Sequence, residues 1–172
     1  MKDQGFTLIE LLIVVAIVGV IAAIAVPSML RARVAGNEAS AIASMRSVNS
    51  AQTSYASAAA RGGHAVLLAT LGTACSGSSE AFLSADLAVD PVVKSGYRFV
   101  LQAAAAATPG PADCNGTATR SDFYMTARPL GVGVTGHRAF GAMAAGAIYY
   151  DVSGVPPTEG AMAPGGGGLV IQ

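Results

Sequence analysis

The sequence predicts an α+β fold in which one long N-terminal α-helix, half membrane-spanning and half amphipathic, packs against a small antiparallel sheet of about four strands. Three observations carry this. Leu8 to Val26 is an almost unbroken apolar run closed by Pro27, and about twenty such residues cross a hydrocarbon core roughly 30 Å thick. Val34, Ala41, Val48 and Tyr55 then recur every seven residues, which places them on one face of a helix. In the second half, short alternating segments are separated by Gly, Pro and Asp, the pattern of strands joined by turns.

Each element follows in order. The residues before the run are Met1 to Gly5, and one carboxylate, Glu10, sits at its head. A charge inside a membrane segment costs about 2.5–3.5 kcal/mol on insertion scales, so Glu10 is a functional-site candidate. A secretory signal peptide is cut after its apolar run, behind small residues. Here the expected processing point precedes the run, so the helix stays in the mature chain. After Pro27, Leu30, Glu38, Met45 and Gln52 fall beside the heptad positions and complete a stripe with two polar interruptions. The helix is expected to end near Arg61-Gly62-Gly63, glycine supplying the left-handed cap. His64 to Lys94 has no steady period and reads as a connecting region with a short helix around Ser79 to Ala88. Strands are expected at Tyr97–Leu101, Asp122–Ala127, His137–Phe140 and Ala147–Asp151, with Gly141 to Gly146 as a turn. Ala103 to Pro111 is a loop, and Pro164 to Gly168 a flexible tail leading to an edge strand at Leu169-Val170-Ile171. Such strands behind one long helix suggest a sheet laid on that helix.

Gly5-Phe6-Thr7-Leu8-Ile9-Glu10-Leu11-Leu12-Ile13-Val14-Val15-Ala16, continuing through Ile21 to Pro27, resembles the class III signal of type IV pilins and type II secretion pseudopilins. The match covers about the first third of the chain and fades around Asn37-Glu38-Ala39-Ser40. The resemblance implies the type IV pilin fold, with a prepilin leader at 1–5 and a hydrophobic transmembrane and assembly helix at 6–27. It further implies an amphipathic helix at 28–62 entering the globular domain, and a connecting region, antiparallel sheet and Gly-rich tail at 63–172. It implies cleavage between Gly5 and Phe6 by a prepilin peptidase, and N-methylation of the new Phe6 amine. Glu10 then pairs with the Phe6 amine of a neighbouring subunit, a pairing that relieves a costly carboxylate only in correct register. The alternative for Glu10 is a carboxylate that snorkels or is neutral in an ordinary anchor. Gly19 and Pro27 are the expected kink positions; for Gly19 the alternative is simple tolerance, since Gly is common in membrane helices.

The partners implied are other copies of the chain in a helical homopolymer, other pilins, the prepilin peptidase/methyltransferase, the inner-membrane assembly machinery and, before assembly, membrane lipid. The implied location is the bacterial inner membrane as a single-pass precursor, then a surface pilus, or the periplasm for a pseudopilin. The function read from this is a structural subunit of a pilus-like filament; the alternative is a type II secretion pseudopilin, and a membrane-anchored binding or enzymatic domain comes third.

Ten basic and ten acidic side chains balance to zero over 172 residues, and no basic stripe argues for nucleic acid. Lys2 is the basic side chain before the run, and Arg31 and Arg33 follow it. The positive-inside rule places that Arg pair in the cytoplasm, whereas the family orientation is the reverse.

Cys75 and Cys114 are the two cysteines. In a domain outside the cytoplasm they are expected to pair, closing a loop of about 40 residues worth up to roughly 4 kcal/mol. Two free buried thiols are the alternative, and a metal site is poorly supported by two Cys. The position departs from many pilins, whose disulfide lies nearer the C-terminus.

Enzyme chemistry is not expected. His64 and His137 form no metal-ligand spacing, no nucleophile elbow is present, and no glycine-rich phosphate loop opens a helix. Asp86 and Asp90 either share a cation or are a solvated pair. Glu38 is either an inter-subunit contact or a solvated charge. Asn115-Gly116-Thr117 fits a glycosylation pattern. No cofactor and no metal are expected.

Overall fold

The computed structural model describes residues 5–171; residues 1–4 of the expected leader lie outside them. Helix α1 runs Leu8–Ala58, 51 residues, or about 77 Å at 1.5 Å per residue. One-turn helices α2 (Leu68–Leu71) and α3 (Glu159–Met162) flank the sheet. The strands are β1 (Val92–Lys94), β2 (Tyr97–Ala103), β3 (Phe123–Pro129), β4 (Ala139–Met143), β5 (Ile148–Asp151) and β6 (Leu169–Val170). They form one antiparallel sheet in the order β1-β2-β3-β4-β5-β6.

The far half of α1 buries the expected stripe. Val34, Glu38, Ala41, Met45, Val48, Gln52 and Tyr55 are all buried, joined by Ser44 and Ala51. Leu30 is the exception at 55% exposed, because the domain begins to cover the helix only at Val34. Facing it, β2 turns Tyr97, Phe99 and Leu101 inward and β3 turns Phe123, Met125 and Ala127 inward. The period of two along each strand thus meets the helical stripe to make one core.

The sheet has six strands where about four were expected. β1 is three residues long, too short to show alternation. β6 is the expected edge strand, and it joins the sheet through Tyr149↔Val170 and Tyr150↔Leu169. β4 begins at Ala139 and continues through Gly141 to Met143, residues read from sequence as a turn. Gly141 is there because Met162 of α3 lies across it: a Cβ at this position would meet the Met162 sulfur at 2.8 Å. The helix expected at Ser79 to Ala88 is absent; that stretch is bends and turns.

The C-terminal end of α1 also differs in detail. The last helical residue is Ala58, and the left-handed turn is shared by Arg61 (φ 50°) and Gly62 (φ 92°). The Gly62 N–H reaches back to the Ala56 carbonyl at 2.7 Å, a wrap that satisfies a helix-end acceptor.

Cys75 and Cys114 are bonded, with Cα atoms 5.5 Å apart and a sequence separation of 39. The bridge joins the connecting region to the loop before β3. Asn115 flanks it, accepting from the Ser76 N–H (3.2 Å) and donating to the Ala74 carbonyl (3.1 Å). A Cys75→Ser/Cys114→Ser variant in detergent should lose about 4 kcal/mol by the loop-entropy relation. The urea midpoint, compared with that of the oxidised chain, checks this.

Candidate functional site

The two ends of the long helix do different work. At its head, Thr7 is extended (φ −76°, ψ 151°) and caps α1. Its hydroxyl accepts from the Glu10 N–H at 3.3 Å, and the Glu10 Oε2 accepts from the Thr7 N–H at 2.9 Å. The Thr7 hydroxyl also donates to the same oxygen at 2.6 Å. This reciprocal arrangement satisfies two orphan donors of the helix start. It also gives the carboxylate local partners in a single chain. Gly5 precedes the helix and Phe6 is 85% exposed. Thr7 was not singled out from sequence, although Thr-x-x-Glu before an apolar run is the spacing that announces such a cap.

From Leu8 to Arg33 every residue of α1 is exposed. Among the described residues α1 is the one helix long and apolar enough to cross a membrane, and none of its apolar window is buried by the domain. Nothing comes within 4 Å of a Cβ built on Gly19. The helix is continuous across Pro27, which lacks the N–H for the Ala23 carbonyl. The Ser28 hydroxyl turns back to the Ala25 carbonyl at 3.0 Å.

Further along, the two polar interruptions of the stripe are ties to the domain. The Glu38 Oε1 accepts from the His137 and Arg138 N–H groups (2.8 and 3.1 Å), and its Oε2 pairs with the Arg138 Nε at 2.7 Å. Glu38 is therefore neither a solvated charge nor free for a neighbouring subunit. Burial alone would raise its pKa, but the two N–H groups and the guanidinium outweigh it and hold the carboxyl below its usual range. The Arg138 guanidinium also lies over the Phe140 and Tyr150 rings. Gln52 replaces a missing strand partner: its amide donates to the Ala65 carbonyl (2.7 Å) and accepts from the Ala65 N–H (3.0 Å). The Tyr55 hydroxyl donates to Asp113 at 2.8 Å. Burial, reinforced by that carboxylate, pushes the Tyr55 hydroxyl up. The Asp113 carboxyl is held low, since hydrogen bonds from Tyr55, Thr117 and Asn115 overcome its burial.

The remaining sequence candidates are dispersed. Asp86 pairs with Lys94 at 2.6 Å. Asp90 accepts from the Leu68 and Ala69 N–H groups at 2.9 and 2.8 Å. The two carboxylates thus have separate partners, and among the described residues no cluster of three or more potential metal ligands occurs. His64 sits beside Arg120 and Phe123, and His137 lies at the other end of the sheet, next to Glu38. Burial lowers the His64 pKa, with Asp122 partly opposing.

The α+β domain is thus carried on a helix whose first half its own fold leaves wholly uncovered. Residues 1–26 match the family described as the prokaryotic N-terminal methylation motif. The chain is also 41% identical over 54 residues to the type IV major pilin protein PilA of Myxococcus xanthus (strain DK1622). That alignment covers 31% of this chain and 24% of the relative's length. No solved structure matches. The likeness to type IV pilins thus lies in the N-terminal methylation motif and a 54-residue stretch, and the chain spans about a quarter of the relative's length; α1 is long and apolar enough to cross a membrane.

Proposed function

We propose that this chain is a structural subunit of a type IV pilus-like filament that polymerises through α1 after removal of residues 1–5. The observation that carries the proposal is the pairing of the methylation motif with an apolar helix half left entirely uncovered by its own domain. In this reading residues 6–27 are the membrane and assembly helix, 28–62 its continuation into the domain, and 63–172 the coat of the filament. Cleavage frees the Phe6 amine, which is methylated and meets Glu10 of a neighbour. Because lipid is as apolar as the helix, apolar burial alone gives helices little reason to associate; packing and a correctly placed charge pair supply the specificity. Gly19 and Pro27 weaken the backbone ladder at either end of the upper span and are where the helix bends or unwinds on assembly.

The same signal serves a type II secretion pseudopilin, so it does not separate the two readings. Intact mass spectrometry and electron microscopy of filaments sheared from cells separate the two. A surface filament containing the chain from methylated Phe6, lighter by the two thiol hydrogens, is the expected result. The same processed chain confined to the envelope fraction would make it a pseudopilin.

A further inference from the structure

We propose that the helix-proximal end of the domain is a lipid-docking surface that leans on anionic membrane beside the transmembrane helix. The sheet has a definite polarity along α1. The Asn37 amide donates to the Thr135 carbonyl, and the Ser40 and Ser95 hydroxyls are 2.8 Å apart. The opposite end is fixed by Asn49 to the Gly146 carbonyl. The β1–β2 turn, the β3–β4 loop and the exit of β5 therefore all lie toward the membrane-spanning half. The level of Asn37 is about 15 Å beyond Pro27 along the helix. The cover of α1 begins earlier, at Val34, about 10 Å beyond Pro27; the interfacial layer extends roughly 5–8 Å past the hydrocarbon core, so a helix tilted by about 40° brings this end to the lipid headgroups.

That end is apolar and basic. Val132 and Val134 on one loop and Val152 and Val155 on the next are 57–70% exposed. The loops abut: Gly154, at φ 78°, leaves room for Val132, whose Cγ2 would stand 2.5 Å from a Cβ there. On the outer face, Arg98 and Arg128 are direct cross-strand partners and both exposed. Like charges so opposed destabilise a sheet, and among the described residues neither forms a salt bridge. An anion between them offsets the repulsion. Arg31 and Arg33 add two exposed guanidiniums on the helix below. Nearby carboxylates are engaged: Glu38 by Arg138, Asp86 by Lys94, and Asp151 by the Ser153 N–H. Valines entering the interface and arginines on phosphates are continuous with the apolar helix leaving the same end. Docking rests on the membrane anchorage of the precursor.

The chain contains no Trp, so single tryptophans report position in the full chain reconstituted in vesicles. Val134→Trp should be quenched by lipids brominated near the headgroup when phosphatidylglycerol is present. It should be quenched less in phosphatidylcholine alone. Arg98→Gln and Arg128→Gln should each weaken docking about fivefold. Val15→Trp, read with lipids brominated deep in the acyl chain because Val15 lies near the middle of the span, tests the anchor itself. Quenching of Val15→Trp without Val134→Trp overturns the docking surface and leaves the anchor standing. Failure of Val15→Trp quenching removes the anchorage and the proposal with it. Val134→Trp protection that grows with protein-to-lipid ratio and ignores phosphatidylglycerol means a second copy covers the valines, which also overturns it.

Discussion

Replacing Glu10 by alanine is expected to leave membrane insertion and cleavage after Gly5 intact while filament yield falls by more than two orders of magnitude. Insertion does not need the carboxylate, since Leu8 to Val26 is apolar without it. On the function proposed here, cleavage acts at Gly5-Phe6, on the non-helical residues before α1. What Glu10 supplies in one chain is its half of the cap with Thr7, worth about 1 kcal/mol. What it supplies between chains, on the function proposed here, is the partner of a buried ammonium. Removing one member of such a pair costs about 3–5 kcal/mol, and each 1.4 kcal/mol is about tenfold in an association constant. The two contributions can be separated. Thr7→Val removes both hydroxyl bonds to Glu10 but keeps the carboxylate, so it should cost a cap and spare the filament. Quantifying sheared filaments and processed subunit for both variants decides the matter. Wild-type yield from Glu10→Ala would remove the charge pair from the assembly mechanism.

The contrast between these two variants reflects what sequence can and cannot convey. The apolar run, the heptad positions Val34, Ala41, Val48 and Tyr55, and the alternation in Tyr97–Leu101 are periodic, so they announced a helix, its buried face and a central strand. The motif at Gly5 to Glu10 is contiguous, so its resemblance needed no fold. β1 and β4 were hidden or misplaced for a physical reason. Three residues cannot display a period, and Gly141-Ala142 looks like a turn until Met162, about 20 residues away, packs on it. Glu38 was misjudged on the same ground. Its partners His137 and Arg138 lie about 100 residues away, and a carboxylate in a helical stripe carries no local sign of what it meets. Cys75 and Cys114 were readable because two thiols leave one possible pairing.

Glu38→Ala should be the most destabilising single change in the helix-to-sheet interface, lowering unfolding free energy by about 3 kcal/mol. The residue answers three donors at once, and its side chain is 9% exposed. Truncation strands the His137 and Arg138 N–H groups under the helix. The Arg138 guanidinium, 36% exposed, regains water, so its share of the loss is discounted for screening. Glu38→Gln keeps the shape and one acceptor and should cost about half as much. Against a total stability of about 5–15 kcal/mol for a domain of this kind, either loss shifts the urea midpoint measurably. The pH dependence distinguishes charge from shape. The folded Glu38 pKa is depressed, so its stabilisation is complete above the unfolded value, about 4.3. It is lost as pH falls through the folded value. Asp113 behaves in the same sense. The wild-type domain should therefore weaken progressively below about pH 4, and Glu38→Gln should flatten that slope while leaving the Asp113 part. If the two proteins lose stability in parallel on acidification, Glu38 holds the sheet by its shape and the ion pair with Arg138 contributes nothing.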